Sequence, residues 1–108
     1  MSLLPPLSDE QRRAALEKAA EVRRARAELK EQLKSGKTTL TKVLDRAESE
    51  EMVGKLRVSA VLQAMPGIGK VKATQIMERL RIAESRRLRG LGDQQRRALL
   101  AVFNANGR

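Results

Sequence analysis

The residues best suited to chemistry lie in one stretch, Pro66-Gly67-Ile68-Gly69-Lys70-Val71-Lys72. An apolar segment, Val61-Leu62-Gln63-Ala64-Met65, runs at helical spacing into Pro66, and a second stripe restarts after Gly69. Proline disfavours helix at the residue before it, and glycine takes the positive φ that a sharp reversal needs. Ile68 is expected to turn inward and anchor the bend. A helix opening straight out of such a turn has first-turn N–H groups without internal partners, and its dipole adds partial positive charge there. Glycine leaves a close approach unblocked, and Lys70 and Lys72 stand at the rim. This is chemistry for holding an anion such as phosphate. The plainer alternative is a tight connection between two core helices that holds nothing.

A second candidate is Ser85-Arg86-Arg87-Leu88-Arg89-Gly90-Leu91-Gly92. Three arginines cannot all pair locally, since only Glu84 and Asp93 are near in sequence. Leu88 is expected to anchor the loop while Arg86, Arg87 and Arg89 point out, where guanidinium forks suit phosphates or a narrow minor groove. The alternative is a solvated loop that aids solubility. Gly90-Leu91-Gly92 echoes the first turn but lacks adjacent lysines, and alone it reads as a bend. Lys55 and Arg57 extend the basic surface as a secondary candidate, or are simply solvated.

Composition narrows the chemistry further. The chain has 108 residues, 23 basic and 13 acidic, for a net charge of +10. Such an excess favours a polyanionic partner, nucleic acid before anionic membrane. With no cysteine and no histidine, disulfides and zinc fingers are excluded and the commonest general base is missing. No metal or cofactor is expected. Phe103 is the only aromatic, too few for stacking bases of a single strand or holding a flipped base. The longest apolar run, Ala98 to Phe103, is too short to cross a bilayer. The opening residues lack the basic and apolar regions of a secretion signal, so a cytoplasmic location and no membrane partner are expected.

The elements that must position these residues all read as helices. Residues 1–7 form a short tail stiffened by Pro5 and Pro6. Ser8-Asp9-Glu10-Gln11 fits a capping box, and strong helix formers continue to about Lys34, a span of about 40 Å. Ala15, Ala19, Val22, Leu29 and Leu33 share one side, thinly apolar and interrupted by Arg26. The pairs Glu21/Arg24, Arg24/Glu28 and Glu31/Lys34 can form along the surface. That face reads as self-paired and solvated, with a DNA contact from Arg23, Arg24 or Arg26 left open. Ser35-Gly36 ends the helix.

Thr38 or Thr39 caps the next helix, which carries Leu40, Val43, Leu44 and Ala47. Met52-Val53-Gly54 reads as a corner. A third helix carries Val58, Val61, Leu62 and Met65, and a fourth carries Ala73, Ile76, Met77 and Leu80. Residues 81–92 read as two consecutive turns. Asp93 caps a last helix with Leu99, Leu100 and Phe103 inward. No strand pattern persists, so the fold class is all-α. Residues 1–52 hold the long helix, a loop and a short helix, and residues 53–108 form a basic domain. The surplus charge is concentrated there: residues 53–108 carry twelve basic and three acidic side chains.

The run Pro66-Gly67-Ile68-Gly69 with two basic residues and Ala73 resembles the helix-hairpin-helix element of many non-sequence-specific DNA-binding proteins. The whole chain resembles the actinobacterial integration host factor family. The segments that carry this likeness are Ala14-Ala15-Leu16-Glu17-Lys18-Ala19-Ala20, Gly54-Lys55-Leu56-Arg57-Val58-Ser59-Ala60, Pro66 to Ala73, and Arg86 to Gly92. The resemblance implies a long N-terminal helix followed by a helix-two-turns-helix domain like that of a ribosomal small-subunit protein. It implies a nucleoid-associated protein that binds double-stranded DNA with little sequence preference, bends and compacts it, and assists phage integration. Carried over by motif, Pro66, Gly67, Ile68, Gly69, Lys70 and Lys72, with Arg86, Arg87, Arg89 and Gly90, are the implied DNA contacts. A monomer in solution is expected.

Two other readings compete. Structural RNA binding on the ribosome suits the same domain, but Asn104-Ala105-Asn106-Gly107-Arg108 is no long basic tail. A DNA lyase would need a lysine nucleophile and an aspartate around an aromatic pocket, which one phenylalanine cannot build. The chain is therefore read as no enzyme.

Overall fold

The first helix governs the outline of the molecule. The computed structural model describes residues 8–105, with side chains through Phe103. Residues 1–7, read from the sequence as a proline-stiffened tail, and the residues after 105 lie outside the described residues. Helix α1 (Asp9–Ser35) opens on the expected capping box: Ser8 Oγ accepts from the Gln11 N–H at 3.1 Å, and Gln11 Oε1 accepts from the Ser8 N–H at 2.9 Å. It closes where Gly36 takes φ 82° and the Lys37 N–H reaches back to the Gln32 carbonyl at 2.9 Å, the left-handed cap that glycine favours.

Of the inward face read for α1, only Leu29 and Leu33 are buried. Ala15 is exposed, and Ala19 and Val22 are half-buried. The helix packs on the rest of the protein against α3 and α4, and the chain extends over 53 × 30 × 26 Å. None of the anticipated pairs Glu21/Arg24, Arg24/Glu28 and Glu31/Lys34 forms. Exposed i,i+3 and i,i+4 pairs contribute only a few tenths of a kcal/mol, about what side-chain entropy costs.

Helix α2 (Leu40–Ser49) is capped by Thr39, whose Oγ1 accepts from the Lys42 N–H at 3.2 Å, and buries Leu40, Val43, Leu44 and Ala47. The expected corner at Met52-Val53-Gly54 is instead a short helix, α3 (Glu51–Gly54). Gly54 makes it possible: a Cβ there would lie 2.7 Å from the Ala47 carbonyl oxygen. Helix α4 (Val58–Ala64) and helix α5 (Lys70–Arg79) flank the glycine turn. A 3-10 turn covers Leu88–Gly90, and α6 (Asp93–Ala105) closes the domain.

Asp93 is not the cap of α6. The Gly92 carbonyl accepts from the Arg96 N–H at 2.8 Å and its own N–H donates to Gln95 Oε1 at 3.1 Å. Gly92 is therefore the capping residue, and Asp93 sits in the first turn, where its carboxylate suits the helix dipole. All these helices close over one core that includes Leu33, Val43, Leu44, Val58, Leu62, Ile76, Leu99 and Phe103. Among the described residues no polar side chain is buried in it, so its cohesion is apolar burial at roughly 25 cal/mol per Å². No strand forms among them either, although one isolated antiparallel bridge joins Arg57 to Arg87.

Candidate nucleic-acid interface

The glycine turn has the geometry that its residue types dictate. Helix α4 stops at Met65, whose ψ of 146° is extended, as the residue before Pro66 must be. The Met65 carbonyl accepts from the Ile68 N–H at 3.2 Å, closing a four-residue turn over Pro66 and Gly67. Gly67 takes φ 75°, so the turn is type II, with proline leading and glycine in the left-handed position. Ile68 is half-buried against the core, the inward anchor expected of it.

Gly69 is different. It takes φ −92° and ψ −176° as the capping residue of α5 and offers no side-chain hydrogen bond. That conformation is open to any residue, and a Cβ there would meet nothing within 4 Å. Folding does not require glycine at this position. Serine, asparagine or aspartate would cap the helix better. The first internal bond of α5 runs from the Ala73 N–H to the Gly69 carbonyl at 2.9 Å. The preceding N–H groups are free of internal partners and face a cap without a side chain. Lys70 and Lys72 are exposed there and unpaired.

The arginine turn is built more tightly than the sequence suggests. The chain leaves α5 through Arg81 at φ 57°, with the Ile82 N–H bonded to the Met77 carbonyl at 2.8 Å. Gln95 Nε2 on α6 donates to the Arg81 carbonyl at 3.2 Å and holds that bend. Leu88 is buried and anchors the 3-10 turn as expected. Of the three arginines read as pointing out, Arg87 and Arg89 are exposed, whereas Arg86 is half-buried. Its Nη1 donates to the Gly90 carbonyl at 3.0 Å, and its Nε is buried without a partner. Gly90 leaves room for it, since a Cβ there would lie 3.2 Å from Arg86 Cδ.

The structure also brings the secondary candidates into this turn. The Val58 N–H donates to the Arg86 carbonyl and the Leu88 N–H to the Leu56 carbonyl, both at 2.9 Å. These bonds place Arg57 opposite Arg87. Helix α4 begins at this bridge and ends at the glycine turn, so the two basic turns stand about 10 Å apart along its axis. Periodicity within single segments carries no sign of this pairing between distant ones.

Not every cation in the basic half is free. Lys55 pairs with Glu51 at 2.8 Å, and this holds the Glu51 carboxyl below its ordinary pKa, first by the hydrogen bond and then by charge. Arg96 on α6 pairs with Asp45 and with Glu48, the latter at 3.1 Å. Arg46 and Glu50 pair with each other at 2.7 Å. Residues 45–51 thus neutralise two cations of residues 53–108 and clip α6 to α2. Arg57, Lys70, Lys72, Arg87 and Arg89 form no ion pair. Among the described residues no group of three potential metal ligands gathers, and no helix is long and apolar enough to cross a membrane.

Residues 33–103 match the family described as S13-like H2TH domain. An integration host factor of Mycobacterium tuberculosis is 65% identical over 102 residues, 94% of this chain and 97% of that protein. One from Streptomyces coelicolor is 53% identical over 104 residues, 96% of this chain and 97% of that protein. A solved structure, described as sIHF bound to an 8bp palindromic DNA, is 50% identical with a TM-score of 0.79, covering 81% of this chain and 98% of that one. Fold, turns and near-full-length identity agree: the chain belongs to the actinobacterial integration host factor family, built on an S13-like H2TH domain.

Proposed function

We propose that this chain is a nucleoid-associated architectural protein that binds duplex DNA through its backbone with little sequence preference. In this reading it bends and compacts the duplex and assists site-specific recombination. The observation that carries the proposal is Gly69, a capping position left without a side chain although the fold has room for one. The bare backbone beside Lys70 and Lys72 suits a phosphate, and the solved relative described as bound to an 8bp palindromic DNA supports duplex DNA as the partner.

The roles divide as follows. Pro66 and Gly67 shape the turn, Ile68 anchors it, and Gly69, Lys70 and Lys72 hold one phosphate. Arg57, Arg87 and Arg89 engage the strand about one α4 length away, while Arg86 and Gly90 position them. Lys55 contributes less, because Glu51 already neutralises it. Backbone contacts fix register without reading sequence. With two contact turns on one rigid strut, a curved duplex is followed without any aromatic wedge. The protein acts as a monomer in the nucleoid of the cytoplasm, without catalysis or cofactor.

With about five to eight phosphates neutralised, the log–log salt slope of duplex binding is expected near −5 to −7. A slope near −1, or binding confined to one operator-like sequence, would overturn the proposal. Energy transfer between the ends of a labelled duplex tests bending: the ends should approach on saturation, and an unchanged distance would remove that part. Competition with structured RNA tests the ribosomal reading, and duplex DNA is expected to win.

A further inference from the structure

Helix α1 is joined to the glycine turn by a feature that neither motif contains. Gly67, Ile68 and Gly69 share a depression of 320 Å³ with Lys34, from the last turn of α1, and Gln63, from α4. The depression continues into a groove of 480 Å³ between the two helices, where Lys30, Lys34, Ser59 and Gln63 line the walls with Glu31 as the only acid. Lys34 is exposed. It forms no ion pair, although Glu31 is one helical turn away. An unpaired ammonium beside an anion-shaped turn is a point charge placed for a second phosphate.

We infer that Lys34 is a phosphate ligand, holding the DNA strand where it leaves the glycine turn and enters the groove between α1 and α4. The inference rests on the reading of the glycine turn as a phosphate site. It gives the C-terminal end of α1 a direct share in binding, beyond packing Leu29 and Leu33. A lysine in the last turn also complements the helix dipole, but that role belongs to folding and leaves the salt dependence of binding untouched.

The test is duplex binding by fluorescence anisotropy between 50 and 200 mM salt, for Lys34→Gln, Lys42→Gln and Gly69→Thr. Glutamine keeps helix propensity and removes the charge. Lys42 is exposed on α2 and controls for net charge. One lost phosphate contact lowers the slope by about 0.9, so over this range wild-type affinity should fall about 3.5-fold further than that of Lys34→Gln. Lys42→Gln should keep the wild-type slope. The inference is overturned if Lys34→Gln keeps that slope, or if Lys42→Gln loses as much. If Gly69→Thr weakens binding about ten-fold or more while Lys34→Gln changes nothing, only the role of Lys34 fails. If Gly69→Thr binds like wild type, the turn itself is no phosphate site and the inference fails with it.

Discussion

Arg57 and Arg87 face each other across a single antiparallel bridge, held by two backbone hydrogen bonds of 2.9 Å. The bridge ties the start of α4 to the arginine turn and makes one basic surface from two segments. Replacing Arg57 by glutamine is therefore expected to lower the salt slope of duplex binding by about 0.9, as is the same change at Arg87. Neither change should weaken binding to one sequence more than another. An unaltered slope for Arg57→Gln would separate it from the surface.

Arg86 and Arg87 are neighbours with different work. Arg86 is half-buried and bonded to the Gly90 carbonyl, so Arg86→Lys keeps the charge and loses the planar fork. Folding stability and DNA affinity should both fall, by about 1–2 kcal/mol each, with the salt slope preserved. Arg87→Gln should lower the slope and leave the melting temperature alone. If Arg86→Lys melts and binds like wild type, Arg86 does not position the turn.

Gly54 lies where the backbone of α2 and the side chain of Arg89 close in on α3. An added methyl would stand 2.7 Å from the Ala47 carbonyl oxygen and 3.2 Å from Arg89 Cβ. Gly54→Ala is expected to destabilise the fold by about 1–3 kcal/mol, lowering the melting temperature by roughly 5–15 °C. Because Arg89 must shift, affinity for DNA should fall too. A calorimetric scan identical to wild type would contradict this packing.

Arg81 is the one described non-glycine residue at positive φ, at 57°. This is the cap position that glycine fills at Gly36. Arg81→Gly should relieve about 1 kcal/mol of strain and raise the melting temperature by a few degrees. A lower melting temperature would mean that the Arg81 side chain stabilises the fold by more than its backbone costs.

How far the sequence carries depends on the range of the physics involved. Capping at Ser8 and Thr39, the helical stripes of α2, α4 and α5, and the turn at Pro66–Gly69 are all set by residues within one or two turns of each other. Those were legible. The exposure of Ala15, the half-burial of Arg86 and the capping by Gly92 rather than Asp93 depend on which helix packs where. The bridge between Arg57 and Arg87 and the clip from Arg96 to Asp45 and Glu48 join segments far apart in the chain. Composition showed only that more cations than anions were present, and it could not say which would neutralise each other. The missing side chain at Gly69 has a meaning only once the space around it is known, and that space is open.

Gly69→Thr therefore bears most directly on the phosphate site. Threonine caps a helix about as well as glycine, its Cβ meets nothing within 4 Å, and its hydroxyl occupies the N–H groups offered to the ligand. The measurement is the affinity of this variant for a duplex at fixed salt, beside its thermal unfolding. An unchanged melting temperature with affinity reduced about ten-fold or more, the worth of one charged hydrogen bond, is the expected result. A folded Gly69→Thr protein that grips DNA as tightly as the wild type would contradict it.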